Sequence, residues 1–219
     1  MLLLYVLFLL LFAPQRDATT NKKKILCLGD SLTREGSWIH FVEEHFGTSN
    51  LMFINGGKNG RKSGQIFYPL VHTYTQQHKL DGIVLFIGVN DFNNLKSNSI
   101  SFNRTVADVL KNMSKVVEAS LQLFPKNNIF LLAPCNINPA NMSSFALNHG
   151  YGTSGCAAGL SSLNKLYEKL AEQYSIHFLS LYAIVDRVNY VDGVHLSRAG
   201  YKQVAAAISG KIESDGIFC

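Results

Sequence analysis

The chain has 219 residues, 47% hydrophobic, 16% charged and 11% aromatic, with 17 glycines and only 5 prolines. That is the length of one domain, with enough apolar material for a sizeable core, which excludes a disordered chain, a collagen-like repeat and other low-complexity classes. Four cysteines without a C-x-x-C pair exclude a small disulfide-stapled scaffold and leave no zinc knuckle or thioredoxin-type site. The net charge of +5 is scattered. Its densest run, Lys22-Lys23-Lys24, has no aromatic-rich basic stripe beside it and reads as the solvated edge of a strand, so no nucleic-acid partner is expected.

Residues 1–12 read MLLLYVLFLLLF and are followed at once by Pro14, Gln15, Arg16 and Asp17. As a helix this run rises about 18 Å, short of a hydrocarbon core of roughly 30 Å, and its length fits the apolar region of a secretory signal peptide. A charged leading region is missing, and an uncleaved anchor is the rival reading. The expectation is a signal peptide over 1–18, a single domain over 19–219, a secreted or secretory-lumen protein, and no stable membrane span after cleavage. Three N-x-[ST] sequons, at Asn103, Asn112 and Asn141, agree with that route. Asn112 is the best placed of them, falling with Asp108 and Lys115 on the polar side of a predicted helix. In an oxidising compartment Cys135 and Cys156 can pair, a closure worth roughly 3 kcal/mol in the chain-entropy model, or remain free thiols. Cys27, inside an apolar strand, reads as core.

In chain order, residues 24–28 form a short apolar run ended by Gly29-Asp30, a buried strand. A helix follows over 38–46 and a second strand over 51–54, ended by Asn55-Gly56-Gly57. Residues 65–78 suit a helix with Pro69 near its start. Residues 82–87 (GIVLFI) are the clearest buried strand. Over 102–124 the apolar residues Val106, Val109, Leu110, Met113, Val117, Leu121 and Phe124 make a helical stripe that Pro125 stops. A fourth strand is expected at 128–133, a long polar loop at 134–156, a helix at 160–174, a fifth strand at 176–179 and a closing helix at 197–212. Alternating strands and helices predict one α/β domain, a parallel sheet with helices on both faces.

In such a sheet ligands sit beyond the carboxyl ends of the strands. Four polar blocks fall there: Gly29-Asp30-Ser31-Leu32-Thr33, Asn55 to Gly60, Gly88-Val89-Asn90-Asp91, and Asp192-Gly193-Val194-His195. Each is ordinary alone. Together they supply a nucleophile, a base, an orienting acid and oxyanion donors. A serine hydroxyl needs a neighbouring imidazole to take its proton. His195 suits that task, with Asp192 three residues earlier to hold the other ring nitrogen. The backbone N–H groups of Ser31 and Gly60 and the Asn90 side-chain amide are candidate donors to an oxyanion.

These four blocks resemble those of the SGNH-hydrolase superfamily, the GDSL esterase/lipase family, over residues 24–200. Ser31 matches its nucleophile, Gly60 its second-block glycine, Asn90 the asparagine of its G-x-N-D block and His195 the histidine of its D-x-x-H block. Gly60 is taken over Gly57 on its spacing from Asn55. The resemblance implies a flavodoxin-like three-layer α/β/α sandwich with about five parallel strands. It also implies ester hydrolysis through a Ser–His–Asp triad with no metal or other cofactor.

Other readings find less support. G-x-S-x-G, the P-loop pattern and H-E-x-x-H are all missing. An acyltransferase using the same triad with a sugar or lipid acceptor is the nearest alternative, and a catalytically inactive secreted binding module a more distant one. The 134–156 loop is expected to give the pocket a polar rim. Phe67, Tyr68, Phe92 and Tyr151 are candidates for an acyl pocket, with core packing the favoured role for most of them. Lys58, Arg61 and Lys62 read as an exposed, solvated loop in preference to a site for anionic esters. Short-chain or acetyl esters are favoured over long triglycerides, with lysophospholipids and acetylated sugars open.

Overall fold

A strand buried on both faces needs apolar residues at every position, because the pleat sends alternate side chains to opposite sides. In the computed structural model, which describes residues 22–35, 37–47, 51–76 and 79–218, the three central strands behave this way, and the two edge strands are only partly covered. The strands are β1 (Lys23–Gly29), β2 (Leu51–Asn55), β3 (Gly82–Phe86), β4 (Ile129–Ala133) and β5 (His177–Ser180). All neighbours pair in parallel, in the order β2-β1-β3-β4-β5, the flavodoxin-like arrangement.

From the central strands, Ile25, Cys27, Val84, Phe86, Phe130 and Leu132 pack with α2 (Ser37–Phe46) and α7 (Arg198–Asp215). Their alternates Leu26, Leu28, Ile83, Leu85, Ile129 and Leu131 pack with α3 (Phe67–Gln76), α4 (Ile100–Leu123) and α6 (Ser154–Tyr174). The result is a three-layer α/β/α sandwich. Two shorter helices, α1 (Ser31–Arg34) and α5 (Ser144–Asn148), lie in connections. No helix among the described residues is long and apolar enough to cross a membrane. The expected leader at 1–18 lies outside the described residues.

The main departure from the sequence reading is at 134–156. This segment holds a 3-10 turn at Pro139–Asn141, α5, and the start of α6, which begins at Ser154 rather than near 160. The early turn of α6 is rich in small residues, and packing explains why it is nonetheless helical. A Cβ at Gly159 would lie 2.2 Å from the Phe92 ring, and one at Gly155 would lie 2.3 Å from Leu95 O. Small residues let the helix close onto the chain after β3. Cys135 and Cys156 are both free and buried, in different apolar clusters. Cys135 packs on the α2/α7 side of the sheet and Cys156 beside Val89, Ile137 and Tyr151.

Candidate active site

β1 ends at Gly29, and the Asp30 carboxylate accepts a hydrogen bond from Leu32 N at 3.0 Å, starting α1 with Ser31 as its first residue. Ser31 is thereby held at the carboxyl edge of the sheet. His195 arrives from the connection between β5 and α7. There Tyr190 bridges Leu196, and Val191 N donates to His195 O at 2.9 Å, closing a tight loop. Across 164 residues of sequence, His195 Nε2 stands 2.9 Å from Ser31 Oγ. Its Nδ1 stands 2.7 Å from Asp192 Oδ2. An ionised carboxylate only accepts, so Nδ1 carries the proton and Nε2 is left to accept from the serine. Burial pulls the Asp192 carboxyl upward, but hydrogen bonds from the His195 ring and from the His195 and Val194 backbone outweigh it and hold the group below the usual carboxylate range.

The connections after β2 and β3 are fastened to each other. Asp91 accepts from Ser63 N at 3.0 Å and from Ser63 Oγ at 2.7 Å, and Asn90 Nδ2 donates to Arg61 O at 3.0 Å. Asn90 is 1% exposed, and its Oδ1 accepts from the Tyr151 hydroxyl. The two candidate glycines part company. A Cβ on Gly57 would meet the α1 backbone, 2.3 Å from Arg34 N. Gly60 has open space around it, a left-handed φ of +68°, and a place on the pocket wall with Ser31. Gly57 is thus a packing glycine, and Gly60 is the one beside Ser31.

Arg61 departs from the exposed-loop reading. It is buried, and its guanidinium donates to Gly29 O at 3.0 Å and to Gly56 O, tying the ends of β1 and β2 together beneath the site. These carbonyls form only once the two strands are side by side, so no local pattern announces them. Asp30 is also buried, and burial pushes its carboxyl up to about 7. The Leu32 N–H pulls it down, Asp91 adds to the rise, and His195 and Arg61 offset it.

Above Ser31 lies a cavity of about 570 Å³, bounded by Ser31, Gly60, Phe145, His149, Tyr151, Val191 and His195 among others. Of the four aromatic candidates, Tyr151 lines it. Phe92 is core, Tyr68 is exposed against His72, and Phe67 borders a different cavity. The 134–156 segment does shape the pocket, but through aromatic side chains. Phe145 on α5 and His149, the residue that caps it, lie one turn apart with their rings tilted against each other, centroids 4.0 Å apart. Their i, i+4 spacing was the available signal, hidden because the segment reads as loop. Glu35, Leu196 and Tyr201 complete the wall without any sequence cue.

The second cavity, about 390 Å³, is lined by Ser63, Phe67, Asn112 and Lys115 among others. Asn112 donates to Ser63 Oγ at 3.2 Å and is half-buried on the wall of this cavity, whereas Asn103 is exposed. Among the described residues, no group of three or more His, Cys, Asp or Glu side chains is placed to hold a metal ion.

Comparisons with known proteins agree with this architecture. No curated protein sequence matches the chain. Among solved structures, a carbohydrate acetylesterase from Sinorhizobium meliloti is similar, with a TM-score of 0.72 at 21% identity over 88% of this chain and 99% of its own. An aryl esterase from M. smegmatis has a TM-score of 0.71 at 20% identity over 88% and 99%. A lipase/acylhydrolase from Enterococcus faecalis has 0.67 at 18% over 88% and 96%. At these identities the likeness is one of fold. The model of the GDSL-like lipase/acylhydrolase family matches residues 27–203, four-fifths of the sequence and all four polar blocks. The chain belongs to the GDSL-like lipase/acylhydrolase family, the SGNH esterase/lipase superfamily.

Proposed function

We propose that the protein is a serine esterase that hydrolyses carboxylic esters, with Ser31 as nucleophile, His195 as general base and acid, and Asp192 as the group that orients His195. The observation that carries the reading is the continuous hydrogen-bonded path from Ser31 Oγ through the His195 ring to Asp192, at 2.9 and 2.7 Å. Ser31 Oγ attacks the ester carbonyl carbon while its proton passes to His195 Nε2. The tetrahedral intermediate collapses, the C–O bond to the alcohol breaks, and His195 returns the proton to the leaving oxygen. Water, deprotonated by His195, then attacks the acyl-serine, and the acid leaves with Ser31 reprotonated. The Ser31 and Gly60 N–H groups and the Asn90 amide serve the oxyanion.

The substrate reading is a short acyl group, acetyl foremost, on an alcohol that rests against α5. The cavity has the size of a single small-molecule site. Nδ1 of His149 stands 2.8 Å from Phe145 O, and a carbonyl only accepts, so neutral His149 offers Nε2 as an acceptor to a hydroxyl. Beside it the exposed Phe145 ring offers a flat apolar face. This pairing suits a hydroxylated alcohol moiety better than a hydrocarbon chain, in keeping with the similar structure from S. meliloti, a carbohydrate acetylesterase.

The test is hydrolysis of p-nitrophenyl acetate, butyrate and decanoate by the protein and by Ser31→Ala. Activity that falls with chain length and vanishes in Ser31→Ala, at unchanged folding, supports the reading. Equal rates in the two proteins overturn it. Product analysis with an added acceptor alcohol separates hydrolysis from acyl transfer.

A further inference from the structure

A side-chain amide has two ends of opposite sense. Its nitrogen donates to an oxyanion, and its oxygen repels one. Asn90 therefore helps the reaction in only one of its two orientations, and two contacts select that one. Arg61 O can only accept, so the amide nitrogen faces it, at 3.0 Å. On the opposite edge the Tyr151 hydroxyl donates to Oδ1. A flipped Asn90 would set two carbonyl oxygens against each other. With one N–H spent on Arg61 O, the amide keeps its second N–H for the oxyanion.

Tyr151 is itself held by the chain that carries Asn90. Asn94 N donates to Gly150 O at 3.0 Å and Gly155 N to Leu95 O at 2.9 Å, fastening both flanks of Tyr151 to the segment after β3. The tyrosine also lines the substrate cavity and is only 8% exposed. Burial, with the nearby Asp30 carboxyl adding to it, pushes its hydroxyl up to about 12, so it remains a donor throughout the working range.

We infer that Tyr151 is a positioning residue, which locks the Asn90 amide with its nitrogen presented to the reacting carbonyl; the inference rests on the serine-esterase reading of the site. It assigns to the α5–α6 connection a task beyond walling the pocket.

Tyr151→Phe removes the hydroxyl and keeps the ring. Against p-nitrophenyl acetate, kcat is expected to fall about tenfold with KM changed by less than about twofold, since the donor acts on the transition state and not on ground-state binding. In an Asn90→Ala background the same substitution is expected to cost nothing further. A merely structural tyrosine would reduce both backgrounds alike, and that result, or an unchanged kcat, overturns the inference. Side-chain amide signals of Asn90 in 15N-labelled protein give a reading independent of turnover. They are expected to move in Tyr151→Phe, and unmoved signals also overturn the lock. If the wild-type protein is no faster than Ser31→Ala, it is the esterase reading that falls, while the amide signals still decide the lock.

Discussion

Asp192 holds His195 by both its ring and its main chain. Oδ2 lies 2.7 Å from Nδ1, while Oδ1 accepts the His195 N–H at 2.6 Å and the Val194 N–H at 2.9 Å. One carboxylate thus sets the turn, the ring orientation and the tautomer. The three-residue spacing makes this economical, because the same Asx-type turn that satisfies the backbone brings the second oxygen level with the imidazole.

Asp192→Asn exposes that arrangement. The asparagine oxygen can still take the backbone N–H groups, which places its NH2 against Nδ1 and favours the tautomer protonated on Nε2. That form cannot accept the Ser31 proton. A fall in kcat of roughly 10³- to 10⁴-fold is expected with the fold retained, checked by steady-state kinetics beside circular dichroism. A loss smaller than about tenfold would remove Asp192 from the proposed triad.

The two glycines after β2 should fail in different ways. In Gly57→Ala the new Cβ meets the α1 backbone at Arg34 N, 2.3 Å away, so α1 must shift. A destabilisation of about 2–3 kcal/mol is expected, read as a lowered urea midpoint. Gly60→Ala meets no neighbour and bears only the strain of φ +68°, about 1 kcal/mol. If the chain relieves that strain by turning φ negative, the backbone N–H leaves the oxyanion and kcat should fall about tenfold or more. Wild-type kcat in Gly60→Ala would mean that the strain is borne without moving this N–H.

Asp30 gives a stability dependence on pH with a definite sign. Its folded-state value of about 7 lies above the roughly 3.9 of an unfolded aspartate. The folded chain therefore retains this proton over a range where the unfolded chain has lost it. The group's contribution is fullest below pH 4 and is lost as pH rises through 7. Asp30→Asn keeps an oxygen for the Leu32 N–H and removes the titration. Between pH 5 and 8 the wild-type protein should lose on the order of 2 kcal/mol more stability than Asp30→Asn. Denaturant titrations at the two pH values decide it, and parallel losses would mean that Asp30 is ionised throughout.

Several parts of this protein were legible in the sequence because the physics behind them is local. Strands covered on both faces must be unbroken apolar runs, so 24–28, 82–87 and 128–133 stood out and their alternation with helices predicted the parallel sandwich. The residues that end those runs lie at one edge of the sheet by topology alone, which brought Ser31, Asn90 and His195 into view together. Asp192 and His195 need only a short turn to meet. What tertiary structure decided involves partners far apart along the chain. Arg61 looked like a solvated loop residue because the Gly29 and Gly56 carbonyls it serves converge only when β1 and β2 pair. Asn112 followed the polar stripe of its helix, and the partner it finds, Ser63, comes from another connection. Tyr151 meets Asn90 across 61 residues, in a segment whose glycines and asparagines signalled a loop. Helical periodicity reports which face is apolar, and only the packed chain decides which polar group finds a partner there.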